Sequence, residues 1–215
     1  MARVLAISDE VEPTLWTGAV REHRVDLVLA AGDLPFDYLD FIAGALDRPC
    51  VLVPGNHDPD LSGYRLRRGL WTRDGMPARW PGPPGAVNAD GRVVTVAGVT
   101  VAGLGGSVRY RPGPNQWTQR QQARRARRLR ARVAWRGQRV DVLLTHSPPR
   151  WCGDREDPPH QGFECLHGLV SALRPKLLVH GHIHPHGSAV PNRRLGATEV
   201  VNVVGHRVLE VQDAA

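Results

Sequence analysis

Polar side chains that can bind metal ions follow short apolar runs at several places in this sequence. The segment Gly55-Asn56-His57-Asp58 comes directly after Val51-Leu52-Val53. A carboxamide, an imidazole and a carboxylate side by side do not suit a buried core, but at a strand end they could hold a metal and transfer a proton. The other segments of this kind are Ser8-Asp9, Gly32-Asp33, Thr145-His146 and Gly181-His182-Ile183-His184.

The strand ends that precede these segments can bring the side chains together. In open α/β sheets, ligands collect outside the carboxyl ends of the strands. Carboxylate oxygens mixed with imidazole nitrogens suit Mn, Fe or Zn better than Ca or Mg. The candidate metal ligands, each just after a predicted strand, are Asp9, Asp33, Asn56, His146, His182 and His184.

The order of these segments resembles the calcineurin-like metallophosphoesterase superfamily. Its pattern reads Asp-Xaa-His, Gly-Asp, Gly-Asn-His-Asp/Glu, a lone His and Gly-His-Xaa-His. Four of the five blocks are intact here, in order, from Gly32 to His184. The first block keeps Asp9, but Val11 occupies the position of its histidine.

The resemblance implies two divalent transition-metal ions (Mn, Fe or Zn) and the hydrolysis of a phosphate ester. Asp33 would bridge the ions, Asn56, His146 and His182 would complete one shell, and Asp9 and His184 would serve the other. A hydroxide held between the metals would attack phosphorus. The resemblance further implies that His57 protonates the leaving group, with Asp58 orienting it.

Val11 removes one protein ligand from the ion near Asp9 and His184, because an isopropyl group coordinates nothing. Water could fill the gap, another side chain could replace the histidine, or the ion could bind weakly. Strand-like alternation would point Glu10 away from Asp9, unless the chain turns after Asp9. His160 is a further side chain that could reach the site. We expect water or a weakened second site, and activity that depends strongly on added metal.

The apolar runs predict an α/β (mixed α+β) fold in which two β-sheets form a sandwich flanked by helices, the architecture that the resemblance also implies. Residues 1–215 are expected to form a single domain. Asp90-Gly91, Ala97-Gly98 and Gly205-His206 predict hairpins, and Arg73–Gly85 and Arg150–Gly162 predict surface loops. The predicted strands are near Val4–Ile7, Leu27–Ala30, Val51–Val53, Val93–Val96, Thr100–Leu104, Val140–Leu144, Leu177–Val179, Val200–Val204 and Arg207–Val211, with helices near Thr14–Val20, Phe36–Leu46 and Gln116–Arg136.

The net charge of +7 favours anionic partners, including phosphate esters and nucleic acid. Eight arginines lie on the predicted helix Gln116–Arg136, around an apolar stripe formed by Trp117, Ala126, Leu129 and Val133. This helix is either a polyanion-binding surface or a helix with an ordinary solvated face.

Three interpretations of function therefore stay open. The first is a phosphatase or phosphodiesterase, the second a nuclease acting on nucleic acid, and the third a metal-poor scaffold on the same fold, which Val11 suggests. Three scattered cysteines do not form a disulfide framework, and no run approaches the roughly 20 apolar residues of a membrane span. We expect a cytoplasmic protein with no membrane partner.

Overall fold

Two β-sheets pack face to face and helices cover their outer faces in the computed structural model, which describes residues 1–185, 187 and 191–211. The α-helices are α1 (Phe36–Leu46), α2 (Gln119–Arg136) and α3 (Cys165–Leu173), and short 3-10 helices lie at Pro13–Trp16, Gly18–Glu22 and Pro158–His160. The strands described are β1 (Ala2–Ser8), β2 (Leu27–Ala30), β3 (Cys50–Leu52), β4 (Tyr64–Arg67), β5 (Leu70–Arg73), β6 (Met76–Pro77), β7 (Val87–Asn88), β8 (Val93–Val96), β9 (Val99–Leu104), β10 (Ser107–Val108), β11 (Gln116–Trp117), β12 (Val142–Thr145), β13 (Leu177–His180), β14 (Arg193–Leu195), β15 (Thr198–Asn202) and β16 (Gly205–Val211).

Both large sheets have parallel strands at their centre. The first has the order β16-β1-β2-β3-β7, in which only β16 runs antiparallel to its neighbour. The second has the order β14-β15-β13-β12-β9-β8, in which β8 and β14 are the antiparallel edge strands. Within each sheet the central strands therefore end at one edge, where the chain can place polar side chains.

Alternation along β1 shows how the layers form. Val4 and Ala6 pack between the two sheets, whereas Leu5 and Ile7 face the layer that contains α1. Successive side chains of a strand point to opposite faces, so an unbroken apolar run is buried on both sides. The same rule applies to β12, where Leu143 packs with α2 and α3 and Leu144 packs between the sheets.

Helix α2 begins and ends with recognisable caps. The Thr118 side chain accepts from the backbone N–H of Gln121, whose own side chain accepts from the backbone N–H of Thr118, so that together they form a capping box. The helix ends at Gly137, which has a left-handed φ of 60°. Ala126, Leu129 and Val133 are buried against the second sheet, as the apolar stripe in the sequence predicted.

The predicted two-sheet sandwich with flanking helices is confirmed, but two of its connections are wrong. The predicted hairpin at Gly205-His206 does not form, because β15 pairs with β13 in one sheet and β16 pairs with β1 in the other. Asp90-Gly91 likewise connects β7 in the first sheet to β8 in the second. Apolar alternation requires a buried face for each strand but does not specify the neighbouring strand.

Three local predictions also differ from the structure. The predicted helix Thr14–Val20 is two 3-10 segments, and Pro13 lies at the start of the first. The predicted loop Arg73–Gly85 contains β6, which completes a three-stranded antiparallel sheet with β4 and β5. Helix α3 was not predicted, and its first residue follows Glu164, which makes no side-chain capping bond.

Candidate metal centre

The candidate ligands lie beyond the carboxyl ends of five strands that belong to both sheets. Four of them, Asp9, Asp33, His146 and His182, each offer one ligand atom, and these atoms all lie within 4.8 Å of one another. Asn56 joins the group through its Oδ1 atom, which is 3.0 Å from Nε2 of His146. Residues from widely separated parts of the sequence therefore converge on one pocket.

His146 shows that this pocket suits a cation. Its Nδ1 atom donates a hydrogen bond to the Ala31 carbonyl at 2.7 Å, so in the neutral ring Nε2 carries the lone pair. Nε2 faces two further acceptors, Oδ1 of Asn56 at 3.0 Å and Oδ2 of Asp33 at 3.4 Å. Three sets of lone pairs this close require a positive charge among them, either a proton on the ring or a metal ion.

The pKa values reflect the same arrangement without a metal. Burial would lower the pKa of His146, but the Asp33 carboxylate outweighs it and raises this pKa to about 9. Burial acts to raise the pKa of Asp33, and the charge of His146 lowers it overall. The proton on Nε2 of His146 thus lies where a metal ion would bind. Either positive charge would stabilise the Asp33 carboxylate.

His182 is held as a neutral ligand. Its Nε2 atom donates to the Pro159 carbonyl at 2.7 Å, which leaves the lone pair on Nδ1. Burial and then the nearby charge of His146 lower its pKa to about 3. The backbone N–H of His182 donates to Oδ2 of Asp9 at 2.8 Å, and this bond joins the two ligands across the two sheets.

Asp9 is a largely buried carboxylate with two donors on one oxygen. The Ser8 hydroxyl and the backbone N–H of His182 both donate to its Oδ2 atom. Burial raises the pKa of Asp9 despite these contacts. A metal ion would supply the missing positive charge, and Oδ1 faces Nε2 of His184 at 4.0 Å.

Glu10 contacts His184, contrary to the alternation expected from the sequence. Asp9 has a left-handed φ of 61°, and the backbone N–H of Glu10 donates to the Ser8 carbonyl at 2.6 Å, so the chain turns. Nδ1 of His184 lies 2.8 Å from Oε1 of Glu10 and donates to it. The opposite nitrogen, Nε2, is therefore left with its lone pair directed at Asp9, an arrangement typical of carboxylate–histidine–metal contacts.

His57 and Asp58 have different environments. His57 is exposed, and its backbone N–H donates to Oδ1 of Asp33 at 2.7 Å. Oδ2 of the buried Asp58 accepts from the backbone N–H groups of Asp33 at 2.9 Å and Gly55 at 2.8 Å. Among the described residues, the Asp58 carboxylate is hydrogen-bonded to these two amides and not to the His57 ring.

The site depends on unusual backbone conformations at the ligands themselves. Asp9, Asp33 and His182 have left-handed φ values of 61°, 58° and 68°, which residues other than glycine rarely adopt. Gly55 and Gly181 are required for space instead, because a Cβ atom there would overlap the carboxylates of Asp33 and Asp9 respectively. A turn after Asp9 was left open from the sequence, whereas the left-handed conformations of Asp33 and His182 were not predicted.

Several neighbours of the site were not predicted from the sequence. The Asn56 amide donates to the Tyr110 hydroxyl at 3.4 Å, and the Asn115 amide donates to the Asp58 carbonyl at 3.0 Å. His160, a further candidate from the sequence, has its ring centre 5.4 Å from that of His182. Tyr110 and Asn115 lie in a loop beyond β10, and no sequence pattern singles them out.

The donor set fits a divalent transition metal. Two carboxylates, a carboxamide oxygen and neutral imidazoles are ligands that Mn, Fe and Zn accept. His146, His182 and His184 each donate one ring N–H to a carbonyl or a carboxylate, which leaves the other nitrogen for a metal. Asp9, Asp33, His146 and His182 lie close enough together to hold a metal ion, with Asn56 and His184 beside them.

Comparison with known proteins identifies the family to which the chain belongs. Residues 7–186 match the calcineurin-like phosphoesterase family, and the chain belongs to that family. Its fold is similar to that of TT1561 of Thermus thermophilus, with a TM-score of 0.64 and 16% identity over 98% of this chain and 99% of that one. Among curated proteins, none matches the sequence.

Two more distant structures share less of the fold. Vps29 from Entamoeba histolytica, in a crystal structure complexed with zinc, has a TM-score of 0.44 and 15% identity over 94% of this chain and 74% of that one. A 5'-nucleotidase precursor from Thermus thermophilus has a TM-score of 0.44 and 16% identity over 94% of this chain and 48% of that one.

None of the helices in the described residues has both the length and the apolar composition of a membrane-spanning segment.

Proposed function

We propose that this chain hydrolyses phosphate esters, as a phosphatase or phosphodiesterase, with two divalent transition-metal ions at the cluster of Asp9, Asp33 and the site histidines. The observation that supports this most is the convergence of Nε2 of His146 with Oδ2 of Asp33 at 3.4 Å and Oδ1 of Asn56 at 3.0 Å. When bound, the metals would neutralise charge on the phosphoryl oxygens and lower the pKa of a coordinated water.

The chain's own residues would position the ester and supply a proton. His57 is exposed beside a shallow cavity of about 310 Å³ lined also by Asp33, Pro35 and Phe36. From there its ring could protonate the leaving oxygen, since it belongs to no candidate metal shell. The bond from its backbone N–H to Asp33 ties its position to that of the Asp33 carboxylate.

Asp58 would act through the backbone and not through the His57 ring. Its carboxylate fixes the amides of Asp33 and Gly55, and burial raises its pKa. This contact holds the loop after β2 against the loop after β3. We therefore assign Asp58 a positioning role, which differs from the expectation that it orients His57.

The experiment compares two leaving groups in metal-loaded protein. Wild-type protein stripped of metal and reloaded with Mn(II) should hydrolyse p-nitrophenyl phosphate or its bis ester. In His57→Ala, kcat should fall by about 10²–10⁴ on phenyl phosphate, which needs the proton, and by less on p-nitrophenyl phosphate. Equal losses on both substrates would refute the general-acid role.

Matched variants separate this activity from a contaminant. Asp33→Ala should abolish both Mn(II) binding and turnover, whereas His57→Ala should keep Mn(II) binding. His23, whose ring lies 5.7 Å from that of His206 and outside the candidate site, supplies the control variant His23→Ala. Weak or incomplete Mn(II) binding without turnover on any ester would favour the alternative of a metal-poor scaffold, the interpretation that Val11 suggested.

A further inference from the structure

A groove outside the metal centre gathers five arginines. It has a volume of about 580 Å³ and lies between β4, β8 and the C-terminal half of α2. The described residues that line it include no acidic side chain, and they are Arg65, Leu66, Arg67, Arg92, Val93, Val94, Arg132 and Arg136. The ion pairs found among the described residues involve other cations, such as Arg73, Arg125 and Arg150.

Three of the groove arginines donate hydrogen bonds to backbone carbonyls. Arg132 and Arg136 donate to the carbonyls of Gly91 and Val93, and Arg92 donates to the Tyr64 carbonyl at 3.4 Å. A carbonyl orients a guanidinium without neutralising it, and each arginine has further N–H groups to offer. Arg65 and Arg67 are exposed on β4 and lie two residues apart, so they share one face of the strand. The groove therefore has unneutralised positive charge that suits a polyanion.

An aromatic cavity adjoins this groove. It has a volume of about 1100 Å³, and Leu66 and Arg92 line both spaces. The rings of Trp71 and Trp80 stack with centres 4.4 Å apart and planes inclined by 11°, and Tyr64 meets Trp80 edge-on at 5.5 Å. All three rings are only partly buried, so flat apolar surface is accessible next to the arginines.

We propose that the two spaces form one binding site for single-stranded nucleic acid. The backbone phosphates would lie in the arginine groove, and one or more bases would pack in the aromatic cavity. Proteins that bind single strands combine a positive groove with aromatic surfaces in this way. A duplex keeps its base faces stacked and hidden, so it would use the arginines alone. The site is separate from the metal centre, and its ligand need not be hydrolysed.

The test measures binding in EDTA, so that metal and turnover play no part. The anisotropy of a labelled oligothymidylate is followed at several NaCl concentrations. Five phosphate contacts would give a slope of log affinity against log salt of about −3.5 for a single strand. Arg65→Glu with Arg67→Glu should weaken binding at least tenfold and make the slope shallower by about 1.4.

The matched control carries the same charge change on α2. Arg124 and Arg128 are exposed and lie outside the groove lining, so Arg124→Glu with Arg128→Glu should weaken binding less than threefold. Equal losses in both double variants would overturn the groove assignment, because they would show general attraction to a basic protein. Circular dichroism and the thermal midpoint check that each variant is folded.

A second arm tests the aromatic contact. Trp71→Ala should weaken oligothymidylate binding about tenfold and leave the salt slope unchanged, because stacking involves no phosphate. Wild-type tryptophan fluorescence should be quenched by the oligonucleotide and not by inorganic phosphate. Unchanged affinity in Trp71→Ala, or equal affinity for duplex DNA or anionic phospholipid vesicles, would overturn the proposal. Its failure would leave the phosphoesterase activity untouched, since that is measured separately with Mn(II).

Discussion

The contact between Glu10 and His184 would influence the second metal ion that we propose near Val11. The Glu10 carboxylate accepts from Nδ1 of His184 at 2.8 Å, and Nε2 faces Asp9. A carboxylate behind a ligand histidine fixes its tautomer and increases its basicity. In the proposed two-metal site this contact would partly offset the histidine that Val11 replaces, with both side chains about half exposed.

Glu10→Gln should therefore weaken one Mn(II) site and leave the other unchanged. Loss of such an outer partner lowers metal affinity by about 10- to 100-fold. Calorimetric titration of stripped protein resolves the two sites. Glu12→Gln is the matched control, because the Glu12 carboxylate contacts Thr14 and not the site. Two equally tight ions in the wild type would contradict the weakened second site.

The candidate ligands were predictable from the sequence because their residue types and order are distinctive. Asp9, Asp33, Asn56, His146, His182 and His184 all lie at or beside one pocket in the structure. The contact of Glu10 was not predicted, since it depends on the left-handed turn at Asp9. The expectation that Asp58 orients His57 rested on their adjacency in the sequence. Adjacency does not imply that two side chains interact.

At the scale of elements, buried strands and amphipathic helices were the most predictable parts. Helix α1 occupies the predicted residues, and β1, β2, β12 and β13 lie within two residues of the predicted strands. Strand pairing was less predictable, since β16 could satisfy its apolar face in either sheet. The hairpin between β5 and β6 did have a sequence signal, the pair Asp74-Gly75. Asp-Gly favours the left-handed conformations that such turns require, and the two residues have φ values of 51° and 88°.

Helix α3 had a weaker signal. Leu166, Leu169, Val170 and Leu173 follow helical spacing, and the first three are buried against the second sheet. No capping residue marks where the helix begins, and a proline- and histidine-rich loop precedes it. A nine-residue helix without a start signal is therefore easily read as part of that loop.

Two glycine substitutions compare a strand end with a helix. In Gly55→Ala the new methyl group would overlap the Asp33 carboxylate, so the loop after β3 must shift. We expect Mn(II) binding to be lost and stability to fall by about 1–3 kcal/mol. In Gly44→Ala, on the exposed face of α1, nothing lies within 4 Å of the new methyl group. That variant should gain up to about 1 kcal/mol. Urea unfolding measures both, and normal metal binding by Gly55→Ala would show that the crowding is unimportant.

At the scale of the whole molecule, the candidate metal centre joins the two sheets. Asp9, Asp33 and Asn56 follow strands of the first sheet, whereas His146, His182 and His184 follow strands of the second. The inner apolar cluster binds the sheets behind this edge through residues such as Val4, Leu29, Val142 and Val179. Because ligands come from both sheets, metal binding should stabilise the sandwich as a unit.

Metal and proton should compete for His146, and this competition predicts how stability depends on pH. In metal-free protein the folded pKa of His146 is about 9, against 6.5 for the unfolded chain, so its stabilisation is complete below pH 6.5 and is lost as pH rises to 9. At about 1.4 kcal/mol per pKa unit the loss is at most about 3.5 kcal/mol. Mn(II) needs the unprotonated ring, so its added stabilisation should grow over the same range. Urea midpoints in EDTA and in Mn(II) from pH 6.5 to 9 measure both trends, and His146→Gln should remove them. A flat profile for metal-free wild type would mean that no proton holds the three acceptors together.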